Sequence, residues 1–320
     1  METEHEVQRR RKKRKSKKKK GFKIALGIIL LLILGVGIYG YSVYSSVANT
    51  FNKTHEPLSR AKSEKRNTGV SFEKQDPISF LLLGVDERKG DRGRSDSLIV
   101  LTVNPKDKSM KMISIPRDTR TEIIGKGTKD KINHAYAFGG VDMSIKTVEN
   151  FLDIPIDYYV QVNMESFKDI VDAVGGVTVN SPLSFKQDGF SFSKGQISLN
   201  GEEALAYSRM RHEDPRGDFG RQERQRQIIQ AVIDEGASVK SLTNYGTILD
   251  AIGNNVKTNL TFDQMKDIQA NYKEARNNLE QIQIDGSGEK LNGIYYYEVP
   301  ESERTKISNM LKEHLNLNWK

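Results

Sequence analysis

Three short stretches decide the fold: Ile78-Ser-Phe-Leu-Leu-Leu-Gly-Val85, Ser97-Leu-Ile-Val-Leu-Thr-Val103 and Met110-Lys-Met-Ile-Ser-Ile115. The first is almost wholly apolar over a length too short for a core helix, the pattern of a strand covered on both faces. Between the second and third lies Asn104-Pro105-Lys106-Asp107. Pro presets φ for a turn, and Asn and Asp hydrogen-bond their own backbone, so the chain is predicted to reverse there. Downstream, helical and strand-like periodicities alternate. Residues 141–151 read as a helix, 158–162 as a strand, and 164–174 as a helix ended by Gly175-Gly176 before a strand at 177–180. Helices are predicted over 200–211, 219–234 and 261–279, strands over 281–284 and 294–299, and a last helix from Glu301. Alternation of this kind implies an α/β fold, a three-layer α-β-α domain with a mixed central sheet over residues 76–320.

The composition removes several chemistries. Of the 320 residues 36% are hydrophobic and 29% charged, which excludes a polytopic membrane protein. The absence of cysteine excludes disulfides, thiol catalysis and cysteine-ligated metals, and the five histidines include no pair at H-x-x-x-H spacing, against a zinc hydrolase. The net charge of +8 resides in the N-terminus: residues 1–23 hold twelve Lys/Arg against three Glu, so everything after them is close to neutral.

That basic tail abuts an uncharged apolar run from Ile24 to Tyr41. As a helix it would span about 27 Å, close to a hydrocarbon core. The expectation is a cytoplasmic tail over 1–23, one transmembrane helix over 24–44 with a tyrosine belt at 39, 41 and 44, a stalk over 45–75, and an extracellular domain. A cleavable leader is the alternative, with Ser46-Val47-Ala48 as its cleavage site. Topology and anionic lipid account for the Lys/Arg run, and a near-neutral remainder offers no field for nucleic acid. Gly35-Val-Gly37-Ile-Tyr-Gly40 has dinucleotide-site spacing, but inside a membrane helix it lacks the strand and acidic residue that such a site needs.

Chemistry concentrates at the strand ends. Asp86 and Asp96 terminate adjacent strands, with a Gly-rich loop and Arg88, Arg92 and Arg94 between them. Pro116-Arg117-Asp118-Thr119-Arg120 follows the third strand. Farther on come Tyr207-Ser-Arg209-Met-Arg211-His212 and Arg221-Gln-Glu-Arg224-Gln225, where Arg221 and Gln225 share a helix face. Two carboxylates among guanidinium groups suit a divalent cation and a phosphorylated substrate, because magnesium takes one or two carboxylates and completes its shell with phosphate and water. Each such cluster can equally be a solvated face. His134 and His212 are expected to be packing or surface residues, and Phe167, Ile170, Val171 and Val174 to belong to the core. No G-x-x-x-x-G-K-[ST] is present.

Taken in order, Leu83-Gly-Val-Asp86-Glu-Arg88, Gly93-Arg94-Ser95-Asp96-Ser97, Ser114-Ile-Pro116-Arg117-Asp118-Thr119, Lys131-Ile-Asn133-His-Ala135-Tyr136, Val174-Gly-Gly-Val177, Ala204-Leu-Ala-Tyr207-Ser-Arg209-Met-Arg211 and Arg221-Gln-Glu-Arg-Gln225 resemble the LytR-CpsA-Psr family. The motifs lie within 76–235, and residues 236–320 carry none. The resemblance implies a Gram-positive cell-envelope phosphotransferase that moves an anionic glycopolymer, such as wall teichoic acid, from a polyprenyl-pyrophosphate carrier to peptidoglycan. By matched position it implies Asp86 and Asp96 as ligands of magnesium, or of manganese in its place. Arg94, Arg117, Arg209, Arg211 and Arg221 become the pyrophosphate clamp, with Lys131 and Gln225 beside them, and Asp86 or Asp96 the proton acceptor. Arg88 and Arg120 lie in the same loops, with nothing in the spacing to aim them at a phosphate. An apolar slot in the domain is expected to take the polyprenyl chain. A hydrolase of the same pyrophosphate and a non-enzymatic envelope regulator are the competing classes.

Overall fold

The computed structural model describes residues 45–46, 49–50, 53–86, 93–163, 167–236, 250–251, 253 and 255–317. The chain divides into two compact units, Met1–Asn49 and Thr50–Lys320. The expected tail and membrane helix lie outside the described residues, among which no helix is long and apolar enough to cross a membrane.

The second unit is a mixed α/β fold on a six-stranded mixed sheet. Its centre is β1 (Ile78–Val85), paired antiparallel with β2 (Ser95–Asn104) and parallel with β6 (Tyr158–Asn163). β2 pairs antiparallel with β3 (Ser109–Ile115), which pairs parallel with β12 (Leu279–Gln283). β11 (Val256–Thr258) closes the other edge antiparallel to β6. Alternation along β1 explains its apolar sequence. Leu81, Leu83 and Val85 join one core with Ile145, Val148 and Phe151 of α1 (His134–Leu152) and Ile307 and Leu311 of α6 (Glu301–His314). Ile78 and Phe80 point to the opposite face, into a core with Leu260, Tyr272 and Ala275.

A third core gathers β7 (Val177–Ser181), β8 (Phe185–Gln187), β9 (Phe190–Phe192) and β10 (Gly195–Leu199) with α2 (Phe167–Ala173), α3 (Gly201–Arg209) and α4 (Asp218–Gly236). The remaining elements are the hairpin β4 (Arg120–Ile123) with β5 (Thr128–Lys131), α5 (Phe262–Asn271), and the hairpin β13 (Ser287–Leu291) with β14 (Ile294–Glu298).

Several boundaries move for identifiable reasons. α1 begins before the predicted 141, but its backbone is non-helical at Gly139 and Gly140, the latter at φ 63°, so the regular helix does start at Val141. The helix predicted over 261–279 stops at Asn271, and a 3₁₀ turn, Lys273–Asn277, follows. Tyr272 is buried there and donates its hydroxyl to the Asp76 carbonyl at 2.7 Å, a tertiary anchor that ends the regular helix. The polar stretch expected as a stalk packs against the domain over residues 60–66. Arg60 grips Glu149 at 2.6 and 2.8 Å, Arg66 grips Asp157 at 2.5 and 2.7 Å, and Ser63 donates to Glu149.

Candidate functional site

Asp86 and Asp96 meet at an irregularity in the central sheet. Gly84 pairs with Ser97 and Val85 with Ser95, which leaves Asp96 as an extra residue opposite no partner. A bulge of this kind kinks the strand and re-aims a side chain. Past it the Asp86 amide faces the Arg94 carbonyl at 3.4 Å, so both residues sit at the same end of the β1–β2 pair. Arg94 is exposed, and Arg88, with the rest of residues 87–92, lies outside the described residues.

The next strand supplies the first cation. β3 ends at Ile115, and a turn follows in which the Thr119 amide donates to the Pro116 carbonyl at 2.9 Å, carrying Arg117 out at the sheet end. Arg117 Nη1 donates to Asp96 Oδ1 at 2.6 Å, and its Nε lies 3.8 Å from Asp118 Oδ2. Lys131 Nζ lies 2.7 Å from Asp118 Oδ1. Arg120 turns away to Glu298, 3.3 Å distant, and to the ring of Tyr296.

α4 delivers the second cation in its first turn. Arg221 is 11% exposed and paired with Asp218 at 2.5 Å, yet its Nε is buried and has no hydrogen-bond partner among the described residues. Burial lowers the Arg221 pKa from its ordinary value. Arg117 and Arg211 push the same way, and Asp218 and Asp96 oppose them. Burial also works against the Arg117 charge, but Asp96, Asp118 and Asp218 outweigh it and raise its pKa. Arg117, Arg211, Arg221, Asp96 and Asp218 therefore share one electrostatic neighbourhood. A buried guanidinium N–H without an acceptor is unfavourable, and an anionic oxygen would satisfy it.

Arg211 reaches this cluster because the chain leaves helical geometry just before it. On a continuing helix Arg209 and Arg211 would diverge by about 200°. α3 ends at Arg209, which is exposed, and Met210 adopts φ −59°, ψ 134°. The residue responsible was not singled out from the sequence. Arg224, fully buried, donates from Nη2 to the Met210 carbonyl at 2.5 Å and from Nη1 to Asp214 Oδ2 at 2.7 Å, and Asp214 is fully buried as well. Gly220 makes the room: a Cβ there would stand 1.8 Å from Asp214 Oδ2. Asp118, Asp218, Asp214 and Arg224 all lie in or beside the motifs, but the spacing does not separate residues that bind from residues that hold the binders.

Beside the cluster opens a cavity of about 420 Å³ with an almost wholly apolar lining. Phe80, Leu82, Ile99, Leu101, Val160 and Val162 form the sheet wall, and Ile229, Val232 and Ile233 of α4 face them. Ile170, expected in the core, lines this cavity instead; Phe167 lines it and also packs against the third core, to which Val171 and Val174 belong. Helical periodicity had equated all four, because a slot wall and a packed interior present the same apolar stripe. Gln225, Ser97, Ser208 and Thr258 are the polar lining residues. Arg221, Gln225, Ile229 and Val232 recur at helical spacing, so one face of α4 runs from the cation cluster into the slot, about 12 Å from Arg221 to Ile229.

A sequence model of the LytR_cpsA_psr family matches residues 41–313. The chain belongs to that family. It is similar to the polyisoprenyl-teichoic acid–peptidoglycan teichoic acid transferase TagU of Bacillus cereus, at 61% identity over 89% of this chain and 94% of the relative. Among solved structures, Bacillus subtilis TagU shares 55% identity over 77% of this chain and 99% of its own, with a TM-score of 0.62. A TagT bound to LIIa-WTA shares 35% identity over 82% of this chain and all of its own, with a TM-score of 0.71. At this likeness the LytR_cpsA_psr chain is an enzyme of the transferase class.

Proposed function

We propose that the chain is a magnesium-dependent phosphotransferase that moves an anionic glycopolymer of the teichoic acid type from a polyprenyl-pyrophosphate carrier to peptidoglycan. The observation that carries the proposal is the single face of α4 on which Arg221, with its unpartnered Nε, stands beside Gln225 and then the apolar slot. A lipid pyrophosphate has this order of chemistry, dianionic at one end and hydrocarbon at the other. The names of the relatives support the glycopolymer and the acceptor.

In the proposed reaction a sugar hydroxyl of the acceptor attacks the phosphorus next to the glycopolymer. A new P–O bond forms, the pyrophosphate P–O bond breaks, and polyprenyl phosphate leaves with the electron pair. Such a transfer needs charge neutralisation and in-line positioning more than covalent help. Arg117, Arg211 and Arg221 hold the pyrophosphate oxygens, with Lys131 and Gln225 at the sides and Arg94 and Arg209 within the same proposed clamp. Arg117 is held in turn by Asp96, which keeps its fork oriented. The proton of the hydroxyl passes to the carboxylate pair Asp86 and Asp96. No group of three or more His, Cys, Asp or Glu side chains among the described residues could hold a metal. Two carboxylates at one bulge nevertheless fit magnesium, whose remaining ligands would be phosphate oxygens and water. Asp86 and Asp96 would hold that ion, or manganese, and it would neutralise charge on the pyrophosphate. Residues 24–44 would anchor the enzyme as a single-pass membrane protein, with the basic tail cytoplasmic and the domain outside, where carrier and wall meet.

The test is full-length chain in detergent, supplied with polyprenyl-pyrophosphate-linked glycopolymer, magnesium and peptidoglycan. Glycopolymer covalently joined to glycan is the expected product. Release of free phosphorylated polymer without linkage would make it a hydrolase, and no consumption of donor would end the proposal.

A further inference from the structure

β14 carries Ile294-Tyr295-Tyr296-Tyr297, and Ile294 and Tyr295 are two of the three exposed large apolar side chains among the described residues, at 51% and 45%. The strand runs beside the cation cluster, with Tyr295 and Tyr297 on one face and Tyr296 on the other. Tyr297 pairs with Thr119, donates its amide to the Asp118 carbonyl at 2.9 Å, and meets the Phe219 ring edge-on at 5.6 Å, two residues before Arg221. Tyr296 faces the other way. Its ring centroid lies 5.8 Å from the Arg120 guanidinium and 5.9 Å from Lys131 Nζ, and Lys131 is the residue paired with Asp118. Arg120 and Glu298 complete this rim at 3.3 Å from each other. The Tyr295 ring lies close over Gly288, where a Cβ would come within 2.7 Å, so the hairpin supports one side of the ring and leaves the rest exposed.

We propose that the β13–β14 hairpin is the acceptor subsite, seating the glycan strand beside the cluster. The inference rests on the transferase reading above. The slot and the clamp account for lipid and pyrophosphate, and the acceptor needs a surface of its own within reach of the same phosphorus. A pyranose offers an apolar C–H face and a rim of hydroxyls. An aromatic ring takes the first, while planar, ion-paired side chains such as Arg120 and Glu298 exchange hydrogen bonds with the second. Arg120 and Lys131 also complement the carboxylates of a glycan's peptide stems. Contiguity with Asp118 and Arg117 favours a glycan here over a lipid surface, because a bilayer would cover the approach that the attacking hydroxyl needs.

The test uses full-length chain in detergent and soluble, uncross-linked glycan strands, with wild type, Tyr295→Ser, Tyr296→Leu and Tyr296→Phe compared. Tyr295→Ser and Tyr296→Leu should each raise the glycan Kd, measured without donor, and the acceptor KM at least fivefold. The donor KM and kcat at saturating acceptor should stay within twofold, and Tyr296→Phe, which keeps the ring, should stay near wild type. Tyr295 is exposed, so its variant should melt with wild type and reads the subsite independently of folding. Unchanged glycan Kd in both variants, or a matching rise in donor KM, would overturn the assignment. So would loss of phospholipid-vesicle binding with glycan binding intact. Because the Kd needs no turnover, tyrosine-dependent glycan binding by an enzyme that transfers nothing would remove the function and keep the subsite.

Discussion

Replacing Arg224 by Met should separate the residue that holds the clamp from those that form it. Arg224 and Asp214 are both fully buried at 2.7 Å, and Arg224 also satisfies the Met210 carbonyl. Removing one partner of such a pair typically costs about 3–5 kcal/mol, because the other charge stays buried. Asp214 keeps a contact to Arg216 at 3.2 Å, which places the expected loss at the low end, roughly 3 kcal/mol. For a domain of this size, at about 2 °C per kcal/mol, Tm should fall by roughly 6 °C. Burial alone would raise the Asp214 pKa, but hydrogen bonds from Arg224 and Arg216 more than offset it and lower the value. The stabilisation is therefore in place at neutral pH and disappears only as pH falls below the unfolded value of 3.8 towards the lower folded one. The loop from Met210 would lose its anchor, so transfer by folded enzyme, assayed well below Tm, should drop at least tenfold. The double variant Arg224→Met/Asp214→Leu removes both charges and should regain at least half of the lost Tm without regaining activity. A single variant melting within 1 °C of wild type would refute the energetics. Recovery of activity along with Tm would refute the positioning role.

Two further outcomes are expected. Ile229→Trp narrows the slot, so KM for a long-chain polyprenyl-pyrophosphate donor should rise more than tenfold while a short-chain donor changes less than twofold, measured in the same transfer assay; equal effects on both would remove the cavity as the lipid seat. His314 is buried between the Thr102 and Ser109 hydroxyls, and burial, with Lys111 nearby, lowers its pKa from 6.5 to about 4. The unfolded chain then binds the extra proton first as pH falls, so stability present above 6.5 is lost on the way to 4, about 2 kcal/mol by pH 5. Urea midpoints of wild type should follow that slope and those of His314→Gln should be flatter, whereas parallel curves would show that another group sets the pH dependence.

The central strands, the regular part of α1, α4 and the last helix were legible before any coordinates, because their apolar spacing answers to a face that must be covered. β4, β5, β8, β9, β10, β11 and β13 were not predicted. They are three to five residues long and mostly half-exposed or exposed, and they owe their conformation to partners across a hairpin or at a sheet edge rather than to their own alternation. The family's motif residues were legible in the same way, as residue types at spacings. Spacing alone did not say which of them share a space: only the family resemblance grouped Arg117 with Arg221, which come from distant elements, and set aside Arg120, which turns to another partner.

The division follows from the range of the forces involved. Hydrophobic periodicity, turn chemistry and the order of charged motifs are local properties, so the chain's own text settles the α/β alternation and gathers its chemistry at strand ends. The bulge that sends Asp96 to Arg117, the break at Met210 that releases Arg211, and the choice between slot wall and solid core for Ile170 depend on what packs opposite them. Only the tertiary structure decided those, because each is set by contacts between residues that no local spacing relates.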